Sequence, residues 1–189
     1  MEILPKSFYE RDAAEVAVGI LGKILVKKGD KRVLSGKVVE AEAYYGLEDP
    51  ASRAFKGKKK MNRLMWEEAG TIFIYMVHSN WLFNIITGKS QEPAGILIRA
   101  LEPLEGVEQM KKNRKREELK DLTSGPGKLT KSLEITKEFN GLRVWDPSSP
   151  IVVLDNEEDF DIKTSHRIGV SEDLPQPLRF FVKGSKFVS

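Results

Sequence analysis

Short β-prone runs that follow one another with few helices between them constrain this chain more than any other feature. Residues 24–26 and 32–45 read as strands, and further runs lie at 72–77, 82–86, 96–101, 151–154 and 178–182, most of them separated by turn residues. A parallel neighbour needs a crossover of about a dozen residues or more, so closely spaced runs pair antiparallel. The first two runs meet around Gly29 and Asp30, where glycine is expected to supply the positive φ of a tight hairpin. Helical spacing shows in Ala13, Val16, Ala17, Ile20 and Leu21, behind a cap from Ser7 with Glu10 or Asp12 with Glu15. Residues 104–112 form a second helical pattern, and Gly125-Pro126 is expected to open a third through Leu133, because proline is tolerated in the first turn. The expected fold is α+β, a single domain (residues 1–189) with a curved, mostly antiparallel β-sheet flanked by helices.

A chain of 189 residues buries roughly two-thirds of its unfolded surface without disulfides or metal. Its apolar share of 40% and charged share of 31% describe a soluble globular protein, and no window holds the ~18 to 20 apolar residues of a membrane span. The first six residues lack a basic stretch followed by an apolar one, so no secretory signal is read and an intracellular location follows: cytoplasmic, or nuclear in a eukaryote. The absence of cysteine excludes a disulfide framework, a thiol nucleophile and thiolate zinc sites. With only two histidines, far apart, no metal is expected, nor any cofactor. The net charge of +3 is too mild to argue for nucleic acid, but the charge is sorted by sign. Lys56, Lys58, Lys59, Lys60 and Arg63 crowd one segment and Lys111, Lys112, Arg114, Lys115 and Arg116 another, while acidic residues gather at 155–161. Each run could equally be plain solvated surface.

Within the strand 37–45, strict alternation places Val38, Glu40, Glu42 and Tyr44 on one side, so two carboxylates sit beside an aromatic ring. A carboxylate in such company is a candidate general base for water, although alternating glutamates also describe an ordinary solvent face. Gly125-Pro126-Gly127-Lys128 could offer backbone N–H groups and a lysine to a phosphate, or form only a turn and helix start; the P-loop spacing is absent. Phe73 and Tyr75 on one strand face, with His78 and Trp81 beyond, could form a stacking surface for bases or simply belong to the core.

Five segments, taken in order, resemble the alkyladenine (3-methyladenine) DNA glycosylase family of the single-domain α+β type. They are Leu21-Gly22-Lys23, Val39-Glu40-Ala41-Glu42-Ala43-Tyr44, Ile98-Arg99-Ala100-Leu101-Glu102-Pro103, Ser124-Gly125-Pro126-Gly127-Lys128-Leu129 and Pro177-Leu178-Arg179-Phe180. The resemblance spans nearly the whole chain. It implies a monofunctional glycosylase that flips damaged purines such as hypoxanthine, ethenoadenine and alkylated bases out of the helix. A water then cuts the N-glycosidic bond in base excision repair. It also implies that Glu42 is the general base, facing the anomeric carbon with its water, and that Arg99 helps hold that water. Tyr44 would stack on the extruded base, Tyr75 would line the same pocket, and Asn84 would crowd out the amino group of normal guanine.

Two positions depart from the family pattern. Asp49-Pro50-Ala51-Ser52 runs into Arg53 where the family has a histidine that hydrogen-bonds the lesion. A permanent charge there is expected to favour neutral lesions over cationic ones. The family's wedge tyrosine falls on His78, with Asn80 or Trp81 as substitutes for filling the gap left by the flipped nucleotide. Lys56, Lys58, Lys59, Lys60, Arg63 and Lys128 are the expected phosphate contacts. The expected partner is double-stranded DNA containing damaged purines, gripped by a monomer with no membrane attachment. A DNA-binding module of the same fold with weakened chemistry is one alternative; an RNA-directed or nucleoside-hydrolysing enzyme using the same carboxylate is another.

Overall fold

The longest strand organises the computed structural model, which describes residues 1–29 and 32–189. This strand, β2 (Val33–Tyr44), follows β1 (Ile24–Lys28) and pairs with it antiparallel over its first half. Further along, β2 pairs on that same edge with β8 (Arg179–Val182), and on its other edge with β5 (Ala94–Pro103). Beyond β5 lie β4 (Asn80–Thr87) and then β3 (Ile72–Val77); β6 (Ile151–Leu154) pairs with β1, and β7 (Ile162–Ser165) with β8. All these pairings are antiparallel, and the sheet curls into a half-barrel, so the expected α+β class holds.

One face of the sheet carries the main core. Leu25, Leu34, Val38, Ala41, Ala43, Ile72, Ile74, Phe83, Ile85, Ile96 and Ile98 meet α2 (Ala13–Gly19), α3 (Val107–Arg114), α4 (Lys120–Thr123) and α5 (Pro126–Ser132) there. A short α1 (Lys6–Tyr9) precedes them and contributes Tyr9. Asp12 caps α2 by accepting from the Ala14 N–H at 2.8 Å, and Pro126 occupies the first position of α5 as expected. Truncating a fully buried core side chain such as Phe83 to alanine costs about 3–5 kcal/mol.

Three local features differ from the expectation. Strict alternation along β2 fails: the register against β5 shifts between Val38 and Glu40 and again between Glu40 and Ala41, which is a β-bulge. The extra residue turns Val38 into the main core with Ala41 and Ala43, so it does not share a side with Glu40 and Glu42. Gly29 is not in the left-handed region; its N–H donates to the Arg32 carbonyl at 2.9 Å, and Asp30, its partner in the expected turn, lies outside the described residues. The strand β7 had no sequence signal, because Ile162-Lys163-Thr164-Ser165 is largely exposed and pairs at one edge only. Among the described residues no helix is long and apolar enough to cross a membrane.

Candidate active site

Period-two geometry sends the neighbours of the core residues to the opposite face of the sheet. There Glu42 lies opposite Leu97, Leu97 opposite Asn84, and Asn84 opposite Phe73, a single row across β2, β5, β4 and β3. At the bulge Arg99 has no partner in the strand register, and its side chain reaches across to β2. Above this face opens a cavity of about 650 Å³, whose wall includes Tyr44, Arg53, Tyr75, Arg99, Lys128 and Ile168. Three permanent cations line it, and among the described residues no carboxylate does. Arg99 is compensated from beneath by Glu40 and Glu42, so Arg53 and Lys128 are the wall cations that favour negative charge nearby.

Beneath that wall the charges are buried and paired. Glu42 has no solvent exposure: Oε1 accepts from the Ile168 N–H at 2.8 Å, and Oε2 accepts from the Tyr44 hydroxyl at 2.8 Å and Arg99 Nη1 at 3.2 Å. Glu42 itself is therefore not on the cavity wall, contrary to the expectation of a carboxylate facing the cavity with its water; Tyr44, Arg99 and Ile168 stand between. Glu40 is equally buried and accepts from Arg99 Nε at 2.9 Å, Arg179 Nε at 2.6 Å and the Ser189 N–H at 2.6 Å. The Arg99 guanidinium thus bridges the two carboxylates. Burial alone would lower its pKa, but Glu42 and Glu40 together outweigh burial and hold it above its ordinary value. Burial, reinforced by Glu42, pushes the Tyr44 phenol well above the ordinary tyrosine range, so it is a neutral donor.

The other expected site residues divide into two groups. Arg53 reaches the wall and stacks over the Tyr75 ring at 4.4 Å from its centroid. That pair also separates the cavity from a neighbouring one of about 480 Å³, whose wall carries Lys56 and Lys59. Burial raises the Tyr75 pKa, opposed by Arg53. His78 and Asn80 lie at the rim, in the two-residue connection between β3 and β4 and just after it; His78 and Ser79 both have positive φ, 45° and 62°. Gly127 packs against this tip so closely that a Cβ would fall 2.7 Å from Asn80 Cβ. Lys58 sits 5.6 Å from the Trp66 ring, and Lys60 and Arg63 are exposed on a 3-10 turn, Lys60–Trp66, in the same segment.

Trp81 and Asn84 do not reach the cavity wall. Trp81 packs against the main core and its carbonyl accepts from the Thr130 hydroxyl at 2.8 Å, so a wedge role does not fit its position. Asn84 is buried, its amide spent on the Phe73 and Leu82 carbonyls at 3.1 Å each. The second basic run is partly neutralised locally: Lys111 pairs with Glu108 at 2.9 Å and Glu117 at 3.7 Å.

A family model described as methylpurine-DNA glycosylase matches residues 7–186. This chain belongs to that family. Three relatives are each named "Putative 3-methyladenine DNA glycosylase". The one from Clostridium novyi is 38% identical and covers 100% of this chain and 99% of its own length. The one from Bacillus licheniformis is 39% identical, covering 100% and 97%, and the one from Francisella tularensis is 40% identical, covering 93% and 92%.

In this methylpurine-DNA glycosylase family member, sequence reasoning missed a residue that ties the site together. The Arg167 side chain is fully buried and forks onto Asp49, Nη1 to Oδ2 at 2.6 Å and Nη2 to Oδ1 at 2.8 Å. It also donates to Asp173 at 2.8 Å and to the Ala43 carbonyl at 3.0 Å, and it lies 4.6 Å from the Tyr44 ring centroid. Its chain neighbour Ile168 supplies the N–H that holds Glu42. One guanidinium therefore fixes the Asp49 loop, the Tyr44 ring and the segment gripping the buried carboxylate. Residues 49 and 167 stand 118 positions apart, so no local spacing pattern announces the pair.

Proposed function

We propose that this chain is a monofunctional DNA glycosylase that extrudes damaged purines from duplex DNA and hydrolyses the N-glycosidic bond with Glu42 as the ultimate base. The observation that carries the reading is a fully buried, charge-compensated carboxylate one phenol away from a cationic, tyrosine-lined cavity. Cleavage of that bond develops positive charge on the sugar, which a nearby buried carboxylate stabilises as well as serving as base. Tyr44 and Tyr75 offer stacking worth about 1–3 kcal/mol per base, offsetting an extrusion cost of a few kcal/mol that is smaller for a damaged base. Lys56, Lys58, Lys59, Lys60, Arg63 and Lys128 contact phosphates beside the cavity, and His78 with Asn80 at the hairpin tip fills the vacated stack. Residues 1–189 act as one domain and one monomer in this reading.

Arg53 tunes the lesion range. Its charge on the wall disfavours cationic bases such as 3-methyladenine and favours neutral ones such as hypoxanthine and ethenoadenine.

One observation favours a second reading, a DNA-binding module without efficient chemistry: Glu42 is enclosed and absent from the wall. Incubation with duplex DNA carrying methylated purines and with duplex DNA carrying hypoxanthine, with free purines and abasic sites quantified for each, separates the two. The glycosylase reading expects both products in equal amounts; tight binding with no base release supports the module. Inhibition by free nucleosides as strong as by duplex DNA points instead to a nucleoside enzyme.

A further inference from the structure

The bulge leaves two residues without a partner in the strand register, Val39 of β2 and Arg99 of β5. Val39 is buried together with Ala100 and Phe187, so the extra residue of the bulge holds the segment 187–189 against the sheet. Two positions beyond Phe187, Ser189 reaches the buried ions. Its N–H donates to Glu40 Oε2 at 2.6 Å, and its main-chain oxygen accepts from Arg179 Nη2 at 3.3 Å. Its hydroxyl donates to Glu40 Oε1 at 2.9 Å and accepts from Arg99 Nη2 at 3.1 Å. The Arg99 guanidinium is therefore held at all three nitrogens: Nε by Glu40 at 2.9 Å, Nη1 by Glu42 at 3.2 Å and Nη2 by Ser189. Two bonds leave a planar fork free to tilt about the line that joins them, and a third fixes the plane.

We propose that Ser189 is a positioning residue: anchored through Phe187 at the bulge, its hydroxyl fixes the plane of the Arg99 guanidinium against Glu42 at the cavity wall. The inference rests on the glycosylase reading and deepens it, because it extends the support of the site to a segment that does not line the cavity. Arg99 is on that wall, so a tilt of its plane changes both what it presents to the cavity and its bond to Glu42 Oε2. Groups at a reacting centre depend on such supporting bonds for their orientation. Ser189 itself is exposed, so deleting its hydroxyl opens no void in the core, and a threonine methyl has room toward solvent. A purely structural contribution from an exposed side chain is small.

Ser189→Ala removes the third bond and Ser189→Thr keeps it. On whichever duplex the wild-type protein cleaves faster, methylated or hypoxanthine-bearing, Ser189→Ala is expected to slow single-turnover purine release about tenfold, with duplex affinity and the denaturation midpoint close to wild type. Ser189→Thr should return the rate to within a few fold of wild type. Release by Ser189→Ala at the wild-type rate, or a threonine variant as slow as the alanine one, overturns the positioning role. A second readout needs no catalysis: hydrogen exchange of the Arg99 guanidinium N–H groups, followed by NMR and assigned by their loss in Arg99→Lys. Exchange should quicken about tenfold in Ser189→Ala and stay near wild type in Ser189→Thr; unchanged exchange in Ser189→Ala also overturns the role. Wild-type protein that releases no purine from either duplex fails the glycosylase reading, and the exchange measurement still decides whether Ser189 holds Arg99.

Discussion

At the scale of single residues, Arg53 is the position on which the proposed lesion range rests. It stands over Tyr75 on the partition between two cavities and presents a permanent charge to whatever enters the larger one. Replacing it by glutamine removes the charge while keeping a polar side chain. The expected outcome is a several-fold rise in the ratio of 3-methyladenine to hypoxanthine excision; an unchanged ratio assigns the preference elsewhere. Arg167 is a different kind of residue, structural in its contacts but adjacent to the chemistry. Removing one partner of a buried, hydrogen-bonded ion pair strands the other, so Arg167→Ala is expected to lower stability by about 3–5 kcal/mol in chemical denaturation. Asp173 supplies an acid-side dependence. Burial would raise its pKa, but its bonds with Arg167 more than reverse that and leave it lowered. A depressed folded-state pKa contributes stability that is fully present above the unfolded value of about 3.9 and is lost as pH falls through the folded value. Asp173→Asn should therefore flatten the fall in stability between about pH 4 and lower pH.

At the scale of elements, the hairpin of β3 and β4 stores strain at the cavity rim. A two-residue connection with both φ values positive matches the twist of the strands, yet His78 and Ser79 occupy it where glycine or asparagine is the usual choice. Ser79→Gly is expected to leave stability unchanged or raise it slightly, and Ser79→Val to lower it by about 1–2 kcal/mol, because a β-branched side chain clashes in the left-handed region. Equal stability of the two variants would show that the turn relaxes freely. The same scale shows where sequence reading succeeds and stops. Glu40, Glu42 and Tyr44 fall on one face as their spacing implies, but Val38 does not, because the bulge depends on how β5 pairs with β2 and leaves no mark in β2 alone. Asn84 likewise sits on the correct face of β4, yet its amide turns to the Phe73 and Leu82 carbonyls. Periodicity assigns a face; neighbours from other strands decide whether a side chain on it reaches the cavity.

At the scale of the whole molecule, the long strand β2 separates an apolar face from a face of buried ions and cavity wall. Seven of the eight strands among the described residues, and most helices, were legible as runs along the chain, since apolar alternation and turn residues are local signals. The buried ion network was not, because Arg179 and Ser189 meet Glu40, and Arg167 meets Asp49, only through segments more than a hundred positions apart in the chain. The basic segment from Lys56 to Arg63 flanks the cavity side of the molecule through Lys56 and Lys59. If about five phosphates are neutralised there, the logarithm of duplex affinity falls against the logarithm of salt with a slope near −4 to −5. A slope near zero would make these lysines ordinary surface. The claim on which the account turns is that Glu42 performs the chemistry rather than merely holding Arg99. Its most direct test is Glu42→Gln, measured for single-turnover purine release and for binding to the same methylated duplex. Release should fall by at least about 100-fold with affinity within a few fold of wild type; undiminished release with intact binding would contradict it.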